Sequence, residues 1–399
     1  MNSDSAGGPV CLFAHMGAEL FGSDRMLLES VIAARESGFR CVVALPERGP
    51  LIEALVATGS QVVVSPGLVL RKSMLHPRRW LRSTRDALRA AAAAHRIISR
   101  VRPDCLYVNT ITIPLWPLAG RLRRVPTLSH VHESEASASR MTNRALYAPH
   151  LLARRVLTNS SFAHATIADS IAALAARTRV VHNGVQGPAQ PVAPRGTLDG
   201  PMRLLFVGRL SPRKGPDVAI DALRVLRDSG IDARLELLGT AFDGYAWFET
   251  QLREAVVRLG LEDRVVFHGF HEEIWDFLAA ADVLVVPSVL DEPFGNTAVE
   301  GLLAHRPVIA SDTSGLREAA GGYPTTLLVP PADSDALARA VMEIRARWPH
   351  YSAAVADSGN RAIARHAPAR YRATIGEELM ALAGSAMSRA PAPGAAARA

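Results

Sequence analysis

Short, nearly uninterrupted apolar runs alternate along the chain with longer stretches whose apolar positions recur at helical spacing. In the first half the runs are PVCLFAH (9–15), RCVVALP (40–46), QVVVS (61–65), CLYVN (105–109) and TLSHVH (127–132). Helical patterns lie between them over 24–37, 50–58 and 78–100. The second half repeats the rhythm with RLLFVG (203–208), RLELLG (234–239), RVVFHG (264–269), VLVVPS (283–288) and PVIAS (307–311). Its helical patterns cover 216–229, 245–259 and 271–280, with another starting near 296. Such runs are strands buried on both faces, and their alternation with helices makes parallel sheets covered on both sides. The pattern predicts two doubly wound α/β domains. Ligands bind beyond the carboxyl ends of the strands in such sheets, so the expected site is a cleft across which the two domains face each other.

One stretch breaks the rhythm. NGVQGPAQPVAPRGTLDGP (183–201) is rich in Pro and Gly and has no periodicity, which is a linker composition. It divides the chain into an N-terminal domain at 1–190, a linker at 191–202 and a C-terminal domain at 203–365. A helix over 366–384 is expected to pack back towards the N-terminal domain. The Ala- and Pro-rich end, 385–399, reads as a disordered tail.

Composition narrows the class. At 399 residues, 48% hydrophobic and 21% charged, the chain can bury two sizeable cores. No apolar run approaches the roughly 18 residues of a membrane span, and MNSDSAGGPV lacks the features of a secretory signal. Cys11, Cys41 and Cys105 are too few for a disulfide scaffold and lack metal-ligand spacing. A cytoplasmic location is expected. Charge is uneven: residues 1–195 hold 24 Lys+Arg and 12 Asp+Glu (24 − 12 = +12), and 196–399 hold 21 and 26 (21 − 26 = −5). A basic half of this kind meets something anionic.

The chemistry concentrates in two loops of the second half. VPSVLDEPFGNTAVEGL (286–302) runs from a buried strand through a loop with Asp291 and Glu292 into a helix containing Glu300. Seven residues separate the two Glu, so both can point beyond the strand ends. Backbone N–H groups of Phe294, Gly295, Asn296 and Thr297 fall at the helix start, where phosphate binds well. LLFVGRLSPRKG (204–215) ends a strand at Gly208 and follows it with Arg209 and Lys214. Fixed cations there can neutralise a diphosphate without a metal. On residues alone, a pair of solvated carboxylates and an ordinary basic turn stay open as readings.

Together the motifs resemble the family-4 glycosyltransferases, retaining enzymes of the two-domain GT-B fold. GRLSPRKG resembles that family's phosphate loop, and EPFGNTAVE its Glu-x7-Glu motif. HNGV (182–185) is similar to the segment leading into its linker, and RVVFHGF (264–270) to its base-facing strand and turn. FGSDRMLLES (21–30) resembles its first loop and helix start, and HVHES (130–134) a strand end that carries a His.

The resemblance implies a role for each matching position. Arg209 and Lys214 would stabilise the leaving diphosphate as charge develops on it. Glu300 would hold ribose hydroxyls, Glu292 hydroxyls of the transferred sugar, and His268 and Gly269 would lie near the base. Gly22 and Ser23 would let the first loop approach the diphosphate closely. His132 would lie near the reacting carbon, orienting a hydroxyl or carbonyl rather than acting as a base. His130 shares its strand face, and His15, at the first strand's end, reads as structural. Retention would follow front-face departure, with the donor phosphate taking the acceptor proton and domain closure excluding water. The chain departs from the family at Phe21, where many members have Gly, and at Gly301, where Ala is usual.

Residues 71–102 hold ten Lys/Arg against one acid, Asp86. Arg78, Arg82, Arg85, Arg89, Arg96 and Arg100 fall near one helical line, opposite Trp80, Ala87, Ala91, Ala94 and Ile98. This ridge is read as a solvated face, or as a contact with an anionic or lipid-linked acceptor and the inner membrane surface. No nucleic-acid module accompanies it. The expected activity is transfer of a sugar from a nucleotide-sugar, which is a co-substrate, with no cofactor and no metal. A nucleotide-sugar epimerase and a non-enzymatic nucleotide-sugar-binding or membrane scaffold are the alternatives. A pyridoxal-phosphate phosphorylase is disfavoured, because Lys214 is the second half's one Lys.

Overall fold

A computed structural model describes residues 7–20, 22–70, 80–134, 139–242 and 244–387. Phe21, Arg78 and the tail from 388 lie outside these, as does the side chain of Arg82.

The chain forms two compact units, one of residues 1–184 with 368–399 and the other of residues 185–367. The first holds β1 (Val10–Ala14), β2 (Arg40–Leu45), β3 (Gln61–Val64), β4 (Cys105–Val108), β5 (Thr127–Val131), β6 (Arg155–Thr158) and β7 (Thr178–Val180). Its helices are α1 (Gly22–Glu36), α2 (Leu51–Ala57), α3 (Trp80–Val101), α4 (Leu115–Leu122), α5 (Arg140–Tyr147), α6 (Ser161–Ser170) and α7 (Ala172–Ala175). The second holds β8 (Met202–Val207), β9 (Ala233–Leu238), β10 (Val265–Gly269), β11 (Val283–Val286), β12 (Val308–Ser311) and β13 (Thr326–Val329). Its helices are α8 (Pro216–Asp228), α9 (Ala246–Arg258), α10 (Trp275–Ala280), α11 (Asn296–Leu303), α12 (Ser314–Ala320), α13 (Ser334–Ala346) and α14 (Trp348–His366). The last helix, α15 (Pro368–Met387), belongs to the first unit.

Both sheets are parallel, in the orders β3-β2-β1-β4-β5-β6-β7 and β10-β9-β8-β11-β12-β13. Each is a Rossmann-like domain. In each the strand order reverses at one place, between β1 and β4 and between β8 and β11. Loops leaving neighbouring strands there diverge to opposite faces and leave a crevice.

Strands β1, β4 and β11 are buried at every position, as their unbroken apolar sequences require. The first unit's core is completed by α15, whose Tyr371, Ile375, Leu379 and Leu382 pack with Leu27, Val31 and Phe39. Tyr371 Oη lies 2.7 Å from Ser30 Oγ, while Glu378 takes Arg155 at 2.9 Å and Arg179 at 2.7 Å.

The segment expected as a linker, 191–202, is bound into the second unit. Arg195 meets Asp282 with two hydrogen bonds of 2.8 and 2.6 Å, and its carbonyl accepts from Trp348 Nε1 at 2.9 Å. Fully buried Arg306 donates to the carbonyls of Val192, Leu278 and Ala279. A Pro- and Gly-rich sequence therefore marks an irregular but anchored crossing. The chain passes between units at 184/185 and 367/368.

Along α3, Arg85, Arg89, Arg96 and Arg100 are exposed. The buried face is Ala90, Ala93, Ala94 and Ile98, whereas Ala87 and Ala91 are only partly covered. No helix among the described residues is long and apolar enough to cross a membrane.

Candidate functional site

The two motif loops of the second unit leave adjacent strands at the order reversal. β8 pairs with β11, so the loop after Gly208 and the loop after Pro287 start side by side. Backbone bonding joins them, with Val289 N donating to Arg213 O at 2.9 Å. Gly215 caps α8 at φ 68°, and a Cβ there would collide with the Pro287 carbonyl oxygen. Only a residue without a side chain lets the loops approach this closely.

Side chains close the same seam. Lys214 Nζ lies 2.8 Å from Glu292 Oε1, which also accepts from Ser288 Oγ at 3.0 Å. Arg213 Nη2 stands 3.7 Å from Glu292 Oε2 and donates to the Asp291 carbonyl at 2.7 Å. Asp291 in turn accepts from Ser314 Oγ at 2.9 Å. Burial alone would push the Glu292 carboxyl up. Lys214, Arg213 and the Ser288 hydroxyl outweigh it and hold the group below its usual range. The buried carboxylate is thus kept charged.

The other residues expected here are placed as follows. Arg209 follows Gly208, its guanidinium 5.0 Å from the Phe242 ring centre. Gly295 caps α11, which begins at Asn296 and Thr297 and carries buried Glu300 in its second turn. The Phe294 ring is core, edge-on to His366 at 5.5 Å, which leaves only its backbone for a ligand. Gly301 is explained by packing: a Cβ there would sit 2.5 Å from Leu284 Cδ2 and 3.0 Å from Val308 Cγ2. His268 and Gly269 end β10, on the far side of β9 from β8, with His268 Nε2 3.0 Å from Glu236 Oε2.

In the first unit the polar residues gather beyond β1, β4 and β5. Gly22 and Ser23 open α1. His132 Nε2 lies 2.9 Å from Asn109 Oδ1, and Asn109 Nδ2 lies 3.1 Å from His15 Nδ1 and 3.3 Å from the Ser23 carbonyl. His15 Nε2 meets Asp24 Oδ1 at 2.6 Å. His130 is separate from this chain: its Nδ1 meets Tyr107 Oη at 2.5 Å, and burial pushes its imidazole down to about 3. Burial also pushes His132 well down, aided by the neighbouring His130 and His15. Glu133 is pushed up by burial, opposed by hydrogen bonds from Thr110, Ile111 N and His132 N.

Sequence reasoning passed over Arg213, Asn109 and Asp24, and took His15 as merely structural. Arg213 had a signal, since it precedes Lys214. The other three had none, because strands distant in sequence bring them together.

Two family models match the chain, "Glycosyltransferase Family 4" over residues 22–186 and "Glycosyl transferases group 1" over 201–346. Glycogen synthase of Mycobacterium tuberculosis is 32% identical over 254 residues, 61% of this chain and 60% of that protein. D-inositol 3-phosphate glycosyltransferase of Streptomyces avermitilis is 34% identical over 230 residues, 54% of this chain and 48% of that protein. The chain thus spans about half to three-fifths of these relatives' lengths. Among solved structures, Anabaena HepE in complex with UDP and glucose superposes with a TM-score of 0.77 at 24% identity, covering 94% of this chain and 99% of that one. The matched halves, the two Rossmann-like domains and the shared fold agree: the chain belongs to the family-4 glycosyltransferases, with the GT-B fold.

Proposed function

We propose that this chain is a retaining glycosyltransferase that moves a sugar from a nucleotide-sugar donor to a hydroxyl-bearing acceptor without a metal ion. The observation carrying this reading is the Lys214–Glu292–Arg213 cluster at the strand-order reversal of the second unit. Its cations supply the charge that a departing nucleoside diphosphate needs, in a site fixed before the ligand arrives. Glu292 and Glu300 offer carboxylates to sugar and ribose hydroxyls, and the start of α11 offers backbone N–H groups to phosphate. UDP is the donor nucleotide we favour, because the structural relative HepE binds it.

The exposed Arg85, Arg89, Arg96 and Arg100 support an anionic or lipid-linked acceptor, with peripheral contact at a membrane surface. The experiment is a thermal-shift screen of UDP, GDP, ADP and dTDP with their glucose or mannose conjugates, in EDTA, followed by anomeric analysis of any product. A stabilising nucleotide-sugar and a product of retained configuration are expected. Inversion, or stabilisation only with divalent metal, would overturn the reading.

A further inference from the structure

We propose that Asp24, His15 and Asn109 are positioning residues that fix His132 in the tautomer bearing its proton on Nε2. Its Nδ1 lone pair is then presented to a hydroxyl group of the substrate. The direction of the chain follows from what each atom can do. The Ser23 carbonyl only accepts, so the Asn109 atom 3.3 Å from it must be the amide nitrogen. That fixes the orientation of the whole amide. The same nitrogen donates to His15 Nδ1, which therefore carries a lone pair, and His15 Nε2–H donates to the Asp24 carboxylate at 2.6 Å. Asp24 lies in the first turn of α1, where a negative charge is favoured. At the other end the Asn109 oxygen accepts from His132, so the proton of His132 sits on Nε2.

The remaining nitrogen is the informative one. His132 is 7% exposed, and among the described residues its Nδ1 is buried with no hydrogen-bond partner. A buried acceptor left open costs free energy, and three buried polar residues are arranged so that it stays open in one protonation state. His15, Asn109 and His132 directly follow β1, β4 and β5, and Asp24 lies in α1, so no single element explains their alignment. An acceptor of fixed direction suits the O–H of a sugar. An imidazole free to exchange tautomers would present an N–H there part of the time. Among the described residues, the groups facing His132 are the His130 ring at 4.0 Å, His15, Asn109, and Glu133 through its bond to His132 N. None places a carboxylate on the ring.

The purpose assigned to His132 rests on the glycosyl-transfer reading, but its tautomer does not. The test is a long-range proton–nitrogen NMR spectrum of the full chain labelled with 15N-histidine at pH 7, with His132→Gln identifying the signal. A neutral imidazole protonated on Nε2 is expected. An Nδ1-protonated or cationic His132 would overturn the proposal. In Asn109→Leu both tautomers should appear, and an unchanged single tautomer there would also overturn it. Asn109→Asp keeps the side chain's shape and puts a carboxylate on the relay. His132 should then titrate at higher pH, and turnover of UDP-glucose should acquire an acid limb, falling about tenfold with little change in donor KM. If the tautomer is as expected but His132→Gln leaves turnover unchanged, the role toward the substrate hydroxyl is overturned while the relay stands. Absence of any transfer by the unaltered chain would count instead against the proposed function.

Discussion

Lys214 and Glu292, 78 positions apart in the chain, meet at 2.8 Å through loops that leave adjacent parallel strands. The ion pair makes each residue a support for the other. Lys214→Ala should lower turnover at saturating donor by at least about tenfold, because a charge-assisted contact is worth about 1.5–3 kcal/mol. It should also destabilise the second unit by a similar amount, since Glu292 then keeps only Arg213 and Ser288. Steady-state kinetics and urea unfolding check the two effects, and a normal turnover would remove Lys214 from the phosphate-binding role proposed for it.

The depressed ionisation of Glu292 has a pH signature. Its folded-state group ionises below the ordinary carboxylate value of about 4.3, so the stability it contributes is complete above that value. It is lost as pH falls through the folded value. Unfolding of the unaltered chain and of Glu292→Gln, compared from pH 7 to pH 3, should show the difference between them shrinking toward the acid end. A constant difference would mean that the carboxyl is not held charged by its neighbours.

Gly215→Ala tests the approach of the two loops. The new Cβ meets backbone at Pro287 and sits at positive φ, so the loops must part. Strain and displacement of this kind cost about 1–3 kcal/mol. Donor affinity measured by calorimetry should fall about tenfold or more, whereas unaltered affinity would show that the seam does not shape the site.

Reversing the charges of Arg85, Arg89 and Arg96 to Glu should abolish binding to vesicles containing anionic lipid, at about 1 kcal/mol for each basic residue removed. UDP affinity should be unaffected. Vesicle binding that survives would leave the ridge as a solvated face.

A chain ending at Ala367 should lose the first unit but keep the second. Removing α15 takes away Tyr371, Ile375, Leu379 and Leu382 and uncovers the core residues they pack with, among them Leu27, Val31 and Phe39. At about 1.5–3 kcal/mol for each side chain, the loss rivals a domain's whole stability of about 5–15 kcal/mol. Limited proteolysis should leave a resistant fragment near 185–367 and digest the rest, and protection of both units would overturn this.

Much of this molecule was legible as sequence because its central strands are buried on both faces and spell uninterrupted apolar runs. Strands β1, β4 and β11, at the two order reversals, are of this kind, and β8 beside β11 departs from it only at exposed Arg203 and half-buried Val207. β7 and β13 were not legible, being three and four residues long and only partly buried. Helix α13 had a usable signal: Asp333 caps it through Ala336 N at 2.7 Å. The loops with Lys214 and Glu292 could be read for their chemistry but not for their contact, which depends on strand order. Arg213 was overshadowed by Arg209 for the same reason, since sequence does not say which guanidinium turns toward the neighbouring loop. Asp24, His15 and Asn109 lie on three elements, and no spacing rule links them.

The return of α15 to the first unit sets a timetable for synthesis. Residues 185–367 are contiguous and hold everything the second sheet needs, while the first unit lacks a wall of its core until residue 387 has emerged. At roughly 5–20 residues per second, the N-terminal half waits on the order of ten seconds or longer with the seat of α15 uncovered. The usual order of domain completion on the ribosome is thereby inverted. The half made first finishes last.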